Sequence, residues 1–342
     1  MREAHDVTNG DLAIMKSSPR SLANYPVFVL GAPRSGTTLL YHMILSAGNF
    51  AVYRTESNVF NLLGPKFGDL SVRRNRQALM KVWLRSKLFD RSGLQAQAIE
   101  EKVLAECKSR GDFLRIVMSE IARTQGVGRW ADCTPDHLLY LAAIKREIPN
   151  AKVIHILRDG RDVALSLDKQ GWIRPMPWDR EKGLLVAGLY WQWMVNLGRE
   201  NGRKLGADYK EIHFEDLIRT PQAVLLQLGQ FIDHDLDYER ILKVGIGSVS
   251  DPNTSFYGEP GDQAFNPVER WRKHFSLEQL ALFESLVGET LESVGYQRGA
   301  PGSAGSAKGM RKLYEGSFNA KLWLKQNTSL GKILIGDDLS WL

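Results

Sequence analysis

Residues 31–38 read GAPRSGTT, and this stretch carries the first recognisable chemistry. A phosphate-cradling loop has the form G-x-x-x-x-G-K-[ST]. Gly31 and Gly36 fill both glycine positions and Thr38 the hydroxyl position, but Thr37 stands where the lysine belongs and a positive charge has moved to Arg34. Backbone N–H groups around Gly36, Thr37 and Thr38 point at an anion from a helix N-terminus. Without the lysine that reaches the outer phosphates of a triphosphate, a diphosphate-like group suits the loop better than ATP. A plain strand-to-helix turn accounts for one glycine, but not for Arg34, Ser35, Gly36, Thr37 and Thr38 in succession.

A second cluster lies in VIHILRDGRDVALSL, residues 153–167. Arg158 ends an apolar run, Asp159-Gly160 makes a turn, and Ser166 follows on a helical pattern. A guanidinium gives charge-assisted, bidentate contacts and a hydroxyl adds a donor, so the two can converge on one phosphate. The plainer alternative is a surface RDGRD turn whose arginines pair with its carboxylates.

With both motifs in place, the chain resembles the sulfotransferases that use 3′-phosphoadenosine-5′-phosphosulfate. VLGAPRSGTTLL is similar to their 5′-phosphosulfate loop, and the Arg158–Ser166 spacing to their 3′-phosphate segment. TPDHLLYLAAIKREIPNAKVIHILRDGRDVALSL and YKEIHFEDLIRTPQAVLLQLGQFI resemble blocks of the bacterial and tyrosylprotein-type members. NPVERWRKHFSLEQL resembles the C-terminal segment in which a basic residue beside a tryptophan returns to the nucleotide, here Arg270, with Arg272 weaker; alone, the cluster also reads as a solvated helix start. The resemblance covers roughly residues 25–297.

The resemblance implies transfer of a sulfuryl group from that donor to a hydroxyl of a small molecule, glycan, lipid or tyrosyl acceptor, in line and without a metal. The donor would lie against Arg34, Ser35, Gly36, Thr37, Thr38, Arg158, Ser166 and Arg270, with Arg34 stabilising the leaving group. Glu56, in AVYRTESN after the first helix, matches the place of the catalytic glutamate in tyrosylprotein sulfotransferases, and burial can raise a carboxyl into the working range. His137 is the rival base, with a helix-opening or acceptor-contacting role equally open. His155 lies in an apolar strand and reads as core; His42 stays unassigned. One departure stands out: related bacterial sequences carry a lysine where this chain has Cys133. The rival classes are a phosphate-loop kinase of small molecules and a nucleotide-binding homologue without catalysis.

Strands must deliver these residues. PVFVL at 26–30 reads as a buried parallel strand, followed by a helix from Thr37 to Gly48. AVYRT (51–55) and GRWADC (128–133) are further strand candidates, as are residues 151–158 and YKEIHF (209–214). Residues 73–125 are mostly helical, and 136–148, 161–171, 179–201, 221–232 and 276–294 read as helices. Strands alternating with helices predict an α/β fold, a mainly parallel sheet covered on both faces, in keeping with the phosphate-loop nucleotide-binding architecture that the resemblance implies. Trp172, Trp178, Trp191 and Trp193 are assigned to the acceptor pocket or the core beneath it, and 171–179, with its prolines and glycine, to a lid.

The 342 residues, 43% of them hydrophobic, suffice for a sizeable core. A net charge of +6 favours an anionic partner only weakly, and no like-charge run suggests a nucleic-acid arm. Two cysteines, Cys107 and Cys133, make neither a disulfide framework nor a metal cluster. With a polar N-terminus and no apolar stretch near the roughly 20 residues a bilayer span needs, a cytoplasmic chain without a transmembrane segment is expected. The organisation expected is a leader (1–24), a sulfotransferase domain (25–297) and, at 298–342, a small-residue linker with an extension. KLWLK and KILIG in that extension leave docking on the body or on a second subunit open, the latter allowing a homodimer.

Overall fold

The computed structural model describes residues 25–252, 266–300 and 307–328. The leader and the KILIG segment lie outside the described residues. Four strands, β1 (Val27–Leu30), β2 (Ala131–Asp132), β3 (Lys152–Leu157) and β4 (Tyr209–His213), form one sheet in the order β2-β1-β3-β4, every pair parallel. Among α-helices of six residues or more, the sheet is wrapped by α1 (Thr37–Ser46), α2 (Arg73–Trp83), α3 (Ala96–Glu106), α4 (Arg110–Thr124), α5 (Leu141–Glu147), α6 (Gly160–Gln170), α7 (Gly183–Arg203), α8 (Phe214–Arg219), α9 (Pro221–Ile232), α10 (Tyr238–Val244), α11 (Leu277–Ser293) and α12 (Ala307–Asn327).

Period-two alternation splits the apolar strands between two cores. Phe28, Leu30, Val153 and Leu157 face a core built with α4, α6, α7 and α11. Val27, Val29, Ile154, Ile156 and Ile212 face the other, built with α1 and α9. The expected mainly parallel, doubly covered α/β sheet is therefore the observed one.

Two expected elements differ. AVYRT is not a strand: the backbone N–H of Val52 donates to Gln125 Oε1 (2.7 Å) and its C=O accepts from Gln125 Nε2 (3.1 Å), so a side-chain amide takes the place of a neighbouring strand. A lone bridge, Phe50 to Arg129, is what remains of the pairing. The helix expected at 136–148 is broken into a 3₁₀ turn (Pro135–Tyr140) and α5, with Tyr140 at φ −122° between them.

The extension docks on the body. Tyr314 of α12 is buried, Gln192 Nε2 of α7 donates to Glu315 Oε1 (2.8 Å), and Trp193 Nε1 donates to Asn319 Oδ1 (2.8 Å). Among the described residues, no helix is long and apolar enough to cross a membrane.

Candidate active site

β1 and β3 are neighbours, and the chain leaves β1 toward β2 on one side while β3 lies on the other. In such sheets the crevice outside the carboxyl ends of the strands is where ligands bind. Both sequence motifs emerge there, the loop from β1 and Arg158 from β3.

The loop is bent by two left-handed residues, Arg34 (φ 73°) and Gly36 (φ 95°). Gly36 is obligatory twice over. Its backbone lies where side chains are strained, and a Cβ there would sit 2.3 Å from Phe214 Cδ2. Gly36 also caps α1 without a side-chain hydrogen bond, so it offers no side-chain substitute for the first-turn N–H groups. The Ser35 hydroxyl is buried and has no hydrogen-bond partner among the described residues. An unmade buried hydrogen bond costs about 1–3 kcal/mol, which fits a loop shaped for an anion.

Arg158 reaches back into the same place. Its guanidinium donates to the carbonyls of Arg34 (2.8 Å) and Pro267 (2.5 Å) and lies 4.5 Å from the Phe214 ring centre. Arg34 Nε donates to Ser166 Oγ at 2.8 Å. Burial and then the neighbouring Arg158 hold the Arg34 guanidinium below its usual range. The two guanidiniums are near enough for each other's charge to be felt, and anionic ligand groups beside them would relieve that repulsion. Arg158 is fixed from behind: Trp191 Nε1 donates to its carbonyl (3.2 Å), an approach Gly160 permits because a Cβ there would lie 2.5 Å from that indole.

The rest of RDGRD is not a surface turn. Arg161 is buried, paired with Asp159 (2.7 Å) and Glu284 (2.8 Å), with its guanidinium 3.7 Å from the Trp271 ring centre. Asp162 accepts the backbone N–H groups of Glu269 (3.0 Å) and Trp271 (2.8 Å). Sequence reasoning gave Asp162 no role, although it fastens the segment carrying Arg270 beside Arg158. Arg270 itself is buried.

Glu56 is exposed to solvent. Its carboxyl is nonetheless pushed up to about 7, first by desolvation from the protein around it and then by Asp136 and Asp132. The buried Cys133 links it to the loop: its thiol hydrogen-bonds the Thr37 side chain and is driven well up by burial and then by Glu56. A neutral thiol supplies no charge where the resemblance sets a lysine.

His137 stands apart from Glu56 in kind. It is fully buried, its Nδ1 is 2.8 Å from Asp132 Oδ2, and its Nε2 accepts the Phe60 N–H (3.1 Å). Both ring nitrogens are thus engaged by the protein, one by a carboxylate and one by a backbone N–H. His155 is core, with Nδ1 2.6 Å from the Tyr209 hydroxyl. His42 Nδ1 accepts the Ser248 N–H (3.0 Å), and burial, then Arg54, pushes its pKa down to about 4. Of the tryptophans, Trp191 and Trp193 are buried while Trp172 and Trp178 are exposed, Trp172 lying 5.5 Å over Arg34. No cluster of metal-ligating side chains occurs among the described residues.

A curated relative from Aquifex aeolicus (strain VF5), described as an uncharacterized protein, is 28% identical over 264 residues, 73% of this chain. The chain spans 30% of that relative's length. The sulfotransferase domain from the Synechococcus PCC 7002 olefin synthase matches with a TM-score of 0.50 and 19% identity, over 81% of this chain and 98% of that one. At such identity the likeness concerns the fold alone. Residues 26–238, which hold the loop, Glu56, Arg158 and Ser166, match the profile of the Sulfotransferase family, and the chain belongs to that family.

Proposed function

We propose that the chain transfers a sulfuryl group from 3′-phosphoadenosine-5′-phosphosulfate to a hydroxyl of an acceptor molecule. The observation that carries this reading is the placing of Arg34, Arg158 and Ser166 beside a phosphate loop whose Ser35 hydroxyl is buried and has no hydrogen-bond partner among the described residues. A nucleotide phosphorylated at both ends of its ribose satisfies two such cationic positions at once; an ordinary nucleotide satisfies one.

Each residue then has a task. Arg158 and Ser166 hold the 3′-phosphate, with Arg270 beside them on the segment that Asp162 fastens. Ser35, Thr37, Thr38 and the N–H groups of the α1 start hold the 5′ end. Glu56 takes the acceptor hydroxyl's proton as the new O–S bond forms, and its open side returns that proton to solvent. Arg34 and the loop donors meet the charge that builds on the phosphate oxygen as its bond to sulfur breaks. Preorganised donors of this kind contribute several kcal/mol to a transition state.

The test is which nucleotide raises the melting temperature, since a ligand that binds the native state alone stabilises it. 3′,5′-Bisphosphoadenosine is expected to do so, and labelled donor is expected to be consumed with an acceptor panel of alcohols, phenols and sugars. Stabilisation by ATP with Mg²⁺ instead identifies a kinase. Binding of the bisphosphate without turnover identifies a homologue that has lost catalysis.

A further inference from the structure

Helix α12 lies beyond the residues that match the family profile, yet it is built into the body. Phe318 packs edge-on against Tyr190 (centroids 5.4 Å apart, 85°) and beside Trp193 (5.3 Å), and Arg311 pairs with Glu289 of α11 (2.9 Å). The contact with a consequence for the site is Tyr314, 1% exposed. Its hydroxyl donates to Asp179 Oδ2 (3.0 Å) and accepts the Met176 N–H (3.0 Å), and Lys182 Nζ holds the other Asp179 oxygen (2.7 Å). These bonds fall on the segment 171–179. Residues 172–176 have no helix or strand of their own, so their path is set by what grips them. The same segment carries Trp172, which is 55% exposed and lies over Arg34 at 5.5 Å, within cation–π range.

We propose that α12 clasps the active site: Tyr314 fixes residues 172–179 so that Trp172 confines the Arg34 guanidinium, making Tyr314 a positioning residue for transfer. The inference rests on the role given to Arg34 above. Donor affinity is assigned chiefly to Arg158, Ser166 and the other donors of the loop, with Arg34 the smaller share. Losing the clasp therefore loosens the group needed in the transition state and leaves the ground-state grip intact.

Tyr314→Phe keeps the ring against Phe318 and removes both hydrogen bonds. Hydrogen exchange across 171–182 is expected to accelerate, most at the Met176 amide. kcat is expected to fall about tenfold, part of the roughly 10²-fold that a 1 Å misplacement can cost, while the Kd for 3′,5′-bisphosphoadenosine stays within about twofold. Because both substitutions act through one group, Tyr314→Phe is expected to add nothing to Trp172→Ala. Unchanged exchange, or a kcat loss that adds in full to that of Trp172→Ala, overturns the clasp. A wild-type chain that consumes no donor refutes the function proposed above, and the exchange comparison still decides whether the clasp holds the segment.

Discussion

A carboxyl held near 7 makes pH the cleanest probe of Glu56. Between about pH 6 and about pH 8 its ionised fraction should rise from about one-tenth to about nine-tenths, so kcat/KM should climb about tenfold with a midpoint near 7. Asp136→Asn removes the larger of the two like charges facing Glu56 and should move that midpoint toward acid. It should remain above the ordinary 4.5, because desolvation is the largest contribution and is untouched. Glu56→Gln should remove the acid limb and cost about 10²-fold or more in kcat, the usual weight of a general base. A second readout needs no acceptor. The folded carboxyl binds its proton more tightly than the unfolded one, so its contribution to stability falls as pH rises from 4.5 through about 7. Glu56→Gln should therefore melt higher than wild type at about pH 8, with the gap closing below about pH 5. Initial rates with saturating donor and melting curves across that range decide the matter. A flat rate profile, or a Gln variant within threefold of wild type, refutes Glu56 as the base.

Arg158→Ala should weaken 3′,5′-bisphosphoadenosine by about 1.5–3 kcal/mol, the worth of a charge-assisted contact, read by titration calorimetry. Arg34→Ala should instead lower kcat by about 10²–10³, the loss seen when an oxyanion donor is removed, with a smaller change in product affinity. Gly36→Ala should cost at least about 1–2 kcal/mol from its left-handed backbone alone, more from the Phe214 overlap, and should abolish bisphosphate stabilisation in a melting assay. Asp162→Asn sets an amide N–H₂ against one of two buried backbone donors; it should cost about 1–3 kcal/mol and accelerate exchange at Glu269 and Trp271.

What was legible in the sequence was what is local. A buried strand that stops at a glycine before a helix writes its own signature, and β1, β3 and β4 fall close to where apolar runs put them. Loop, Arg158 and Ser166 follow from those strands, because neighbouring parallel strands end on the same side. What was not legible depends on partners far along the chain. Nothing in AVYRT announces that Gln125 will occupy its backbone groups, and nothing in RDGRD announces that Asp162 binds amides 107 and 109 residues away. The docking of α12 was equally hidden, since a helix with Tyr314, Phe318 and Leu322 along one stripe fits a second subunit as well as its own body.

The two candidate bases, Glu56 and His137, sit in different surroundings. Histidine is the usual proton carrier near neutrality, yet here His137 is locked between a carboxylate and a backbone N–H. Asp132 spends its other oxygen on Thr134, whose hydroxyl in turn accepts the Asn58 N–H (3.3 Å). That chain of bonds runs from β2 through the 3₁₀ turn to the backbone two residues after Glu56. The buried histidine thus braces the segment that carries Glu56, whose carboxyl is raised first by desolvation and then by Asp136 and Asp132. If His137→Gln lowers stability while leaving the midpoint of the rate profile near 7, the division of labour is as described; a shifted midpoint would return the proton to the histidine.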